Sequence, residues 1–117
     1  MSFIELSEDD RQILLTLARE SIRVRLLFDR DLQIDETVFS HALQQPACSF
    51  VTLKIKQTLR GCIGSTEASR PLVVDVVHHA ASAALDDPRF PPLSLQEEAL
   101  VSIEISVLTE ATPLLFS

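Results

Sequence analysis

Apolar residues recur along this chain at two distinct spacings, and the changes of spacing mark its elements. Ile13, Leu14, Leu17, Ala18 and Ile22 return at intervals of three and four, which sets them along one side of an α-helix. Ser7 precedes them, a residue type whose side-chain oxygen caps a helix start. Glu8, Asp9 and Asp10 then fill the first turn, at the positive end of the helix dipole. The pattern predicts a helix that runs to about Phe28. The polar stretch from Asp29 to Asp35 reads as a loop, and Val38 to Gln45 as a short helix ended by Pro46.

The spacing then shortens to two. Phe50 to Ile55 is strand-like, with Val51, Leu53 and Ile55 on one face, and Thr58 to Ile63 is a second strand. Lys56-Gln57 joins them as a hairpin, but neither residue suits a two-residue turn, so the pattern leaves the register open. Helical spacing returns after Pro71, a residue suited to a first helical position. Val73, Val76, Val77, Ala80 and Ala84 form the stripe, and Pro88 stops it. Pro91 and Pro92 hold an extended link. Ser94 with Glu97 is a capping-box pattern for a short helix. Val101, Ile103, Ile105 and Val107 alternate with Ser102, Glu104 and Ser106, the mark of a half-buried strand.

Helix, short helix, hairpin, helix and strand in this order predict an α+β fold, with helices packed on a mixed, largely antiparallel sheet. With 117 residues, one domain over 1–117 is the expectation. No repeat interrupts the order. Leu114, Leu115 and Phe116 are apolar at the end of the chain. They dock on the sheet, meet a partner or mark a truncated domain.

Composition narrows the function classes. Apolar residues are 46% and charged residues 23%, the balance of a globular protein. The net charge of −7 and the lack of Trp and Tyr argue against general nucleic-acid binding, which needs cations for phosphates and rings for bases. The charge is uneven, however. Lys54, Lys56, Arg60 and Arg70 face only Glu67 between Phe50 and Arg70. This is either a solvated hairpin or a place for a small anion. No opening segment has the order of a secretory signal, and no apolar run reaches the ~20 residues that span a membrane. Cys48 and Cys62 form no CxxC and no zinc spacing, so reduced thiols in the cytoplasm are the default. No motif asks for a cofactor.

The two glycines of the chain, Gly61 and Gly64, flank Cys62-Ile63. Glycine permits either positive φ or close approach of another group. Arg60 and Cys62, two apart in a strand, would share a face, and a guanidinium near a thiol favours the thiolate. Cys62 is thus a candidate nucleophile, redox group or soft metal ligand; the alternative is a cysteine that simply packs. On the following helix, Asp75, His79, Ser82 and Asp86 line up as a polar face. His79 paired with Asp75 near Cys62 would make a Cys-His-Asp arrangement; otherwise that face is solvated. Adjacent His78 and His79 point apart and make no metal site. Asp86 and Asp87 oppose the helix dipole at its end, and Arg89 is the nearest group to hold them, as an Asp–Arg clamp on the loop. Glu104 would meet Arg60 if the last strand neighboured that of Cys62, and either His79 or Glu104 is the candidate proton partner of a catalytic Cys62. Cys48 is expected to pack.

The segments Leu59-Arg60-Gly61-Cys62-Ile63-Gly64, Phe50-Val51-Thr52-Leu53, Asp87 to Leu93 and Glu104 to Leu108 together resemble the AMMECR domain family, in order across Phe50 to Pro113. The resemblance implies an α+β domain inside the cell with no established enzymatic activity. It implies that Leu59 to Gly64 forms a shared surface or cleft, with Cys62 as a functional residue. The basic hairpin itself makes Arg60, Gly61 and Gly64, with Arg89, the candidate residues for binding an anion or a partner. The partners it implies are a Memo-like protein and a radical S-adenosylmethionine protein. The family domain is longer, so the resemblance also implies that this chain lacks its C-terminal part. Where the family tends to carry glycine before Phe-Val-Thr-Leu, this chain has Cys48-Ser49.

Overall fold

The computed structural model describes residues 5–108 and 114–117. Helix α1 spans Glu8–Phe28; its Ser7 cap accepts from the Asp10 amide, and the Asp10 carboxylate accepts from the Ser7 amide in return. A single 3-10 turn, Glu36–Val38, and the short α2, His41–Gln44, follow. Strands β1 (Cys48–Ile55) and β2 (Thr58–Gly64) form the hairpin. Helix α3 spans Leu72–Leu85 and α4 Leu95–Glu98, the latter behind the Ser94/Glu97 capping box. Strands β3 (Ser102–Leu108) and β4 (Leu114–Phe116) end the chain.

The sheet has the order β2-β1-β3-β4. Every pairing among these strands is antiparallel, so the sheet is purely antiparallel rather than mixed. Strand β1 lies inside it and β2 at an edge. The alternation of β1 and β3 turns Val51, Leu53, Ile103, Ile105 and Val107 toward the helices, where they are buried with Leu14, Ala18 and Ile22 of α1 and Leu72, Val73, Val76, Ala80 and Ala84 of α3. Leu114 and Phe116 pack against this core and so dock on the sheet, while Leu115 between them is exposed. Ile13, on the expected α1 stripe, is exposed instead, because it sits at the solvent side of a helix whose contact line runs through Leu14. Pro71 is the residue before α3, not its first.

The hairpin turn resolves the open register. Lys56 and Gln57 both have positive φ, 50° and 68°, as a right-twisted two-residue hairpin requires. Register holds from Gly64 opposite Phe50 to Gly61 opposite Leu53, then jumps to Leu59 opposite Lys54. Arg60 is therefore the extra residue of a β-bulge. Arg19 stitches α1 to the far end of the fold: its guanidinium donates to the carbonyls of Glu98 at 2.7 Å and Val101 at 2.6 Å.

Candidate functional site

Cys62 is half-buried in edge strand β2. It stands opposite Thr52, which in turn stands opposite Glu104. Residues directly opposed across antiparallel strands share a face, so all three project from the side of the sheet opposite Val51 and Leu53. The Cys62 sulfur lies 3.2 Å from the Thr52 hydroxyl. Lys54, on the same face, binds Glu104 at 2.9 Å. This face is the one turned away from α3.

The edge of β2 at Cys62 is closed by the loop after α3. The Asp87 carboxylate accepts from the Cys62 amide at 3.0 Å. It also accepts from the Arg89 amide at 3.0 Å and from the Arg89 guanidinium at 2.8 and 3.1 Å. That guanidinium approaches the Cys62 carbonyl at 3.5 Å. The pair therefore presents an acceptor and a donor to the free backbone of Cys62, as a neighbouring strand would, and blunts an edge open to foreign strands. The Asp87 side chain is almost wholly buried. Arg89, by hydrogen bonding first and charge second, holds its carboxyl well below the usual carboxylate range despite that burial. The expected Asp–Arg clamp thus forms, and its third hold, on Cys62, was not legible from the sequence. Phe90 follows, with the guanidinium carbons of Arg89 and Arg60 at 5.5 and 6.0 Å from its ring centre. Replacing Asp87 with Asn is expected to cost about 2 kcal/mol, from one charge-assisted bond to a buried amide. Faster hydrogen exchange at the Cys62 amide is the specific readout; unchanged protection would show that Asp87 does not hold that edge.

Three pairings suggested by the sequence do not form. Arg60 sits in the bulge, which breaks the alternation that would have set it beside Cys62. Its guanidinium instead makes a two-pronged ion pair with Glu97 at 2.9 and 3.0 Å, and is nearly buried. Glu104 does not meet Arg60, because β1 lies between β2 and β3; it meets Lys54. His79 does not join Cys62. It lies on the core side of the sheet, buried, 3.2 Å from Asp75, while the thiol projects from the other side. The α3 face that carries Asp75 and His79 is therefore not solvated at these positions. Asp75 accepts from the Ser49 amide at 3.0 Å, the Ser49 hydroxyl at 2.6 Å and Arg70 at 2.8 Å, and so ties α3 to the start of β1.

Of the four cations around the hairpin, Lys54, Arg60 and Arg70 each hold a carboxylate. Neither glycine has positive φ; both serve close approach. A Cβ at Gly61 would overlap the Ala83 carbonyl oxygen of α3, and one at Gly64 would overlap the Phe50 ring. Cys48 packs as expected. Burial first, then the Asp75 and Glu67 carboxylates, push its thiol up, toward the protonated form. Among the described residues no cluster of three or more His, Cys, Asp or Glu could hold a metal, and no helix is long and apolar enough to cross a membrane.

The model of the AMMECR1 family matches residues 15–116. The chain belongs to the AMMECR1 family. A family relative from Methanothermobacter thermautotrophicus is 38% identical over 114 residues, covering 97% of this chain and 59% of the relative. One from Methanopyrus kandleri is 42% identical over 110 residues, covering 90% and 51%. The crystal structure of an uncharacterised protein from Pyrococcus horikoshii superposes with a TM-score of 0.75 at 34% identity, over 81% of this chain and 49% of that one. This AMMECR1 chain thus spans about half the length of the curated relatives it matches. The segments that drew the resemblance, Leu59 to Gly64 and Asp87 to Leu93, are the strand and loop that meet at Cys62.

Proposed function

We propose that this AMMECR1 chain is a binding or accessory module of the cytoplasm, and that it works through the sheet face around Cys62. The observation that carries this reading is the separation of chemistry across the sheet. The buried His79, beside Asp75, lies on one side, and half-buried Cys62 lies on the other with Thr52, Lys54 and Glu104. A face with hydroxyl, amine, carboxylate and thiol groups on a strand locked at its edge offers a rigid polar surface for another protein. Memo-like and radical S-adenosylmethionine proteins are the partners this reading names. Glu104→Arg reverses charge at the centre of the face without touching the core. It is expected to lower capture of a purified Memo-like or radical S-adenosylmethionine protein at least tenfold, with the melting temperature little changed. Capture by Glu104→Arg and by Cys62→Arg as strong as by the parent chain would overturn the surface.

A second reading has its own observation: Cys62 is only half-buried, its sulfur lies 3.2 Å from a hydroxyl, and the Arg89 guanidinium approaches its carbonyl. Cys62 would then serve as a nucleophile or redox thiol. Alkylation rates measured against pH decide it. A midpoint like that of an unperturbed thiol, ~8.5, removes this reading; a clearly lower one, lost in Arg89→Ala, supports it.

A further inference from the structure

Away from the Cys62 face, a cavity of about 210 Å³ opens between α1 and α3, walled by residues 31–34 and by Arg70. We propose that it binds a small carboxylate with a short aliphatic chain, the carboxylate on Arg70 and His78 and the chain along Leu32, Ile34, Val74 and Val77.

The walls divide by chemistry. Leu32, Ile34, Val74 and Val77 supply apolar surface, while Arg70, His78, Gln33, Asp31 and Ser21 supply polar groups. Arg70 is oriented by its Nε, which donates to Asp75 at 2.8 Å. Its two terminal nitrogens make no hydrogen bond among the described residues, and a guanidinium edge matches a carboxylate's two oxygens. Ser21 already donates to the Val77 carbonyl at 2.6 Å. The one acid in the wall, Asp31, is paired with Arg25 at 3.1 Å, which offsets its repulsion of an anion. A bare phosphate fits less well, since the apolar wall would leave its remaining oxygens without partners. The size admits a molecule well below the drug-sized ligands of larger clefts, ~300 Å³ and above.

His78 adds a proton to the binding. Burial lowers its pKa from the ordinary 6.5; Arg70 and His79 push it the same way, while Asp31 and Asp75 oppose. An anion beside it favours the protonated ring. Affinity therefore rises as the pH falls through the titration of His78, with uptake of a proton.

Hexanoate is the probe, with hexanamide as its neutral counterpart and inorganic phosphate as the bare anion, titrated into the full chain and followed by NMR. Hexanoate is expected to shift the His78 ring and the Val74 and Val77 methyl signals saturably and to raise the His78 pKa. Hexanamide and phosphate should bind at least tenfold more weakly. Val74→Phe, which fills the cavity, should abolish saturable hexanoate binding, and His78→Gln, which removes the ring from the cavity wall, should weaken it about tenfold, the worth of one charge-assisted bond. Equal binding of hexanamide, equal binding of phosphate, or no saturable shift by about 10 mM hexanoate would each overturn the proposal.

Discussion

Gly61→Ala is expected to lower the stability of the chain by about 3 kcal/mol, the upper end of what inserting one methyl into a filled interior costs. For a domain of this size that is a drop of roughly 10–15 °C in melting temperature. The cause is position, not backbone torsion. Gly61 has no positive φ, so alanine can take its conformation. The added Cβ instead meets the carbonyl oxygen of Ala83, a main-chain atom of α3, and no rotamer change removes it. Relief requires α3 to lift off β2, which would open contacts of Val73, Val76 and Ala80 with the sheet. A thermal melt checks the size of the effect. The double variant with Ala83→Gly tests the mechanism: because the obstacle is a carbonyl, deleting the Ala83 side chain should restore nothing. A rescue, or a melt like that of the parent chain, would mean that α3 is not held by this contact.

Asp75→Ala is the second large effect, expected at about 3–5 kcal/mol, the range for removing one partner of a buried ion pair. Three groups lose their acceptor together: the Ser49 amide, the Ser49 hydroxyl and the Arg70 guanidinium. His79 loses its neighbouring charge while staying buried. Asp75→Asn keeps an acceptor for Ser49 but no charge, and should fall between the parent and Ala. The same residue sets an acid limit. Burial alone would raise the Asp75 pKa, but His79, Ser49 and Arg70 outweigh it and bring it from 3.8 to about 2. A carboxyl depressed in the folded state contributes its full stability above the unfolded value and loses it as the pH falls through the folded one. Stability from Asp75 is therefore whole above 3.8 and disappears toward about 2. Glu97 adds in the same direction, drawn from 4.5 to about 2 by its hydrogen bonds to Arg60 and then Ser94; its partial exposure makes its share smaller. Denaturant melts at a series of acid pH values should show the parent weakening below pH 4.5. Asp75→Asn should weaken less steeply over that window; parallel curves would exclude Asp75 as the titrating group.

A polar cluster with this much influence sits on a helix face that its spacing reads first as solvated. Asp75, His79, Ser82 and Asp86 share one side of α3 by spacing, and nothing in that spacing distinguishes the first two, buried, from Asp86, exposed. The difference comes from what lies opposite. The start of β1 brings Ser49 against Asp75, and the loop before the helix brings Arg70. Asp87 is a like case. Its clamp with Arg89 is local, two residues apart, and so was open to reading; its bond to the Cys62 amide crosses from one element to another.

The sequence by itself determined the local elements, because helix caps, apolar spacing and strand alternation act over a few residues. Ser7 before an acidic first turn, Ser94 with Glu97, and the alternation of Val101 to Val107 mark where their helices and strand lie through local signals, although distant partners such as Arg19, Arg60 and β1 hold them. It also marked the strand and loop that meet at Cys62, through two glycines and an Asp–Arg pair. Tertiary structure alone decided who meets whom. With β1 inside the sheet, Glu104 reaches Lys54 instead of Arg60. A bulge of one residue turns Arg60 out of step with Cys62 and toward Glu97, 37 positions along the chain. Which face of the sheet α3 covers puts His79 and the thiol on opposite sides. Spacing tells a strand which of its faces is buried, but not its neighbour; that choice is set by the packing of the whole.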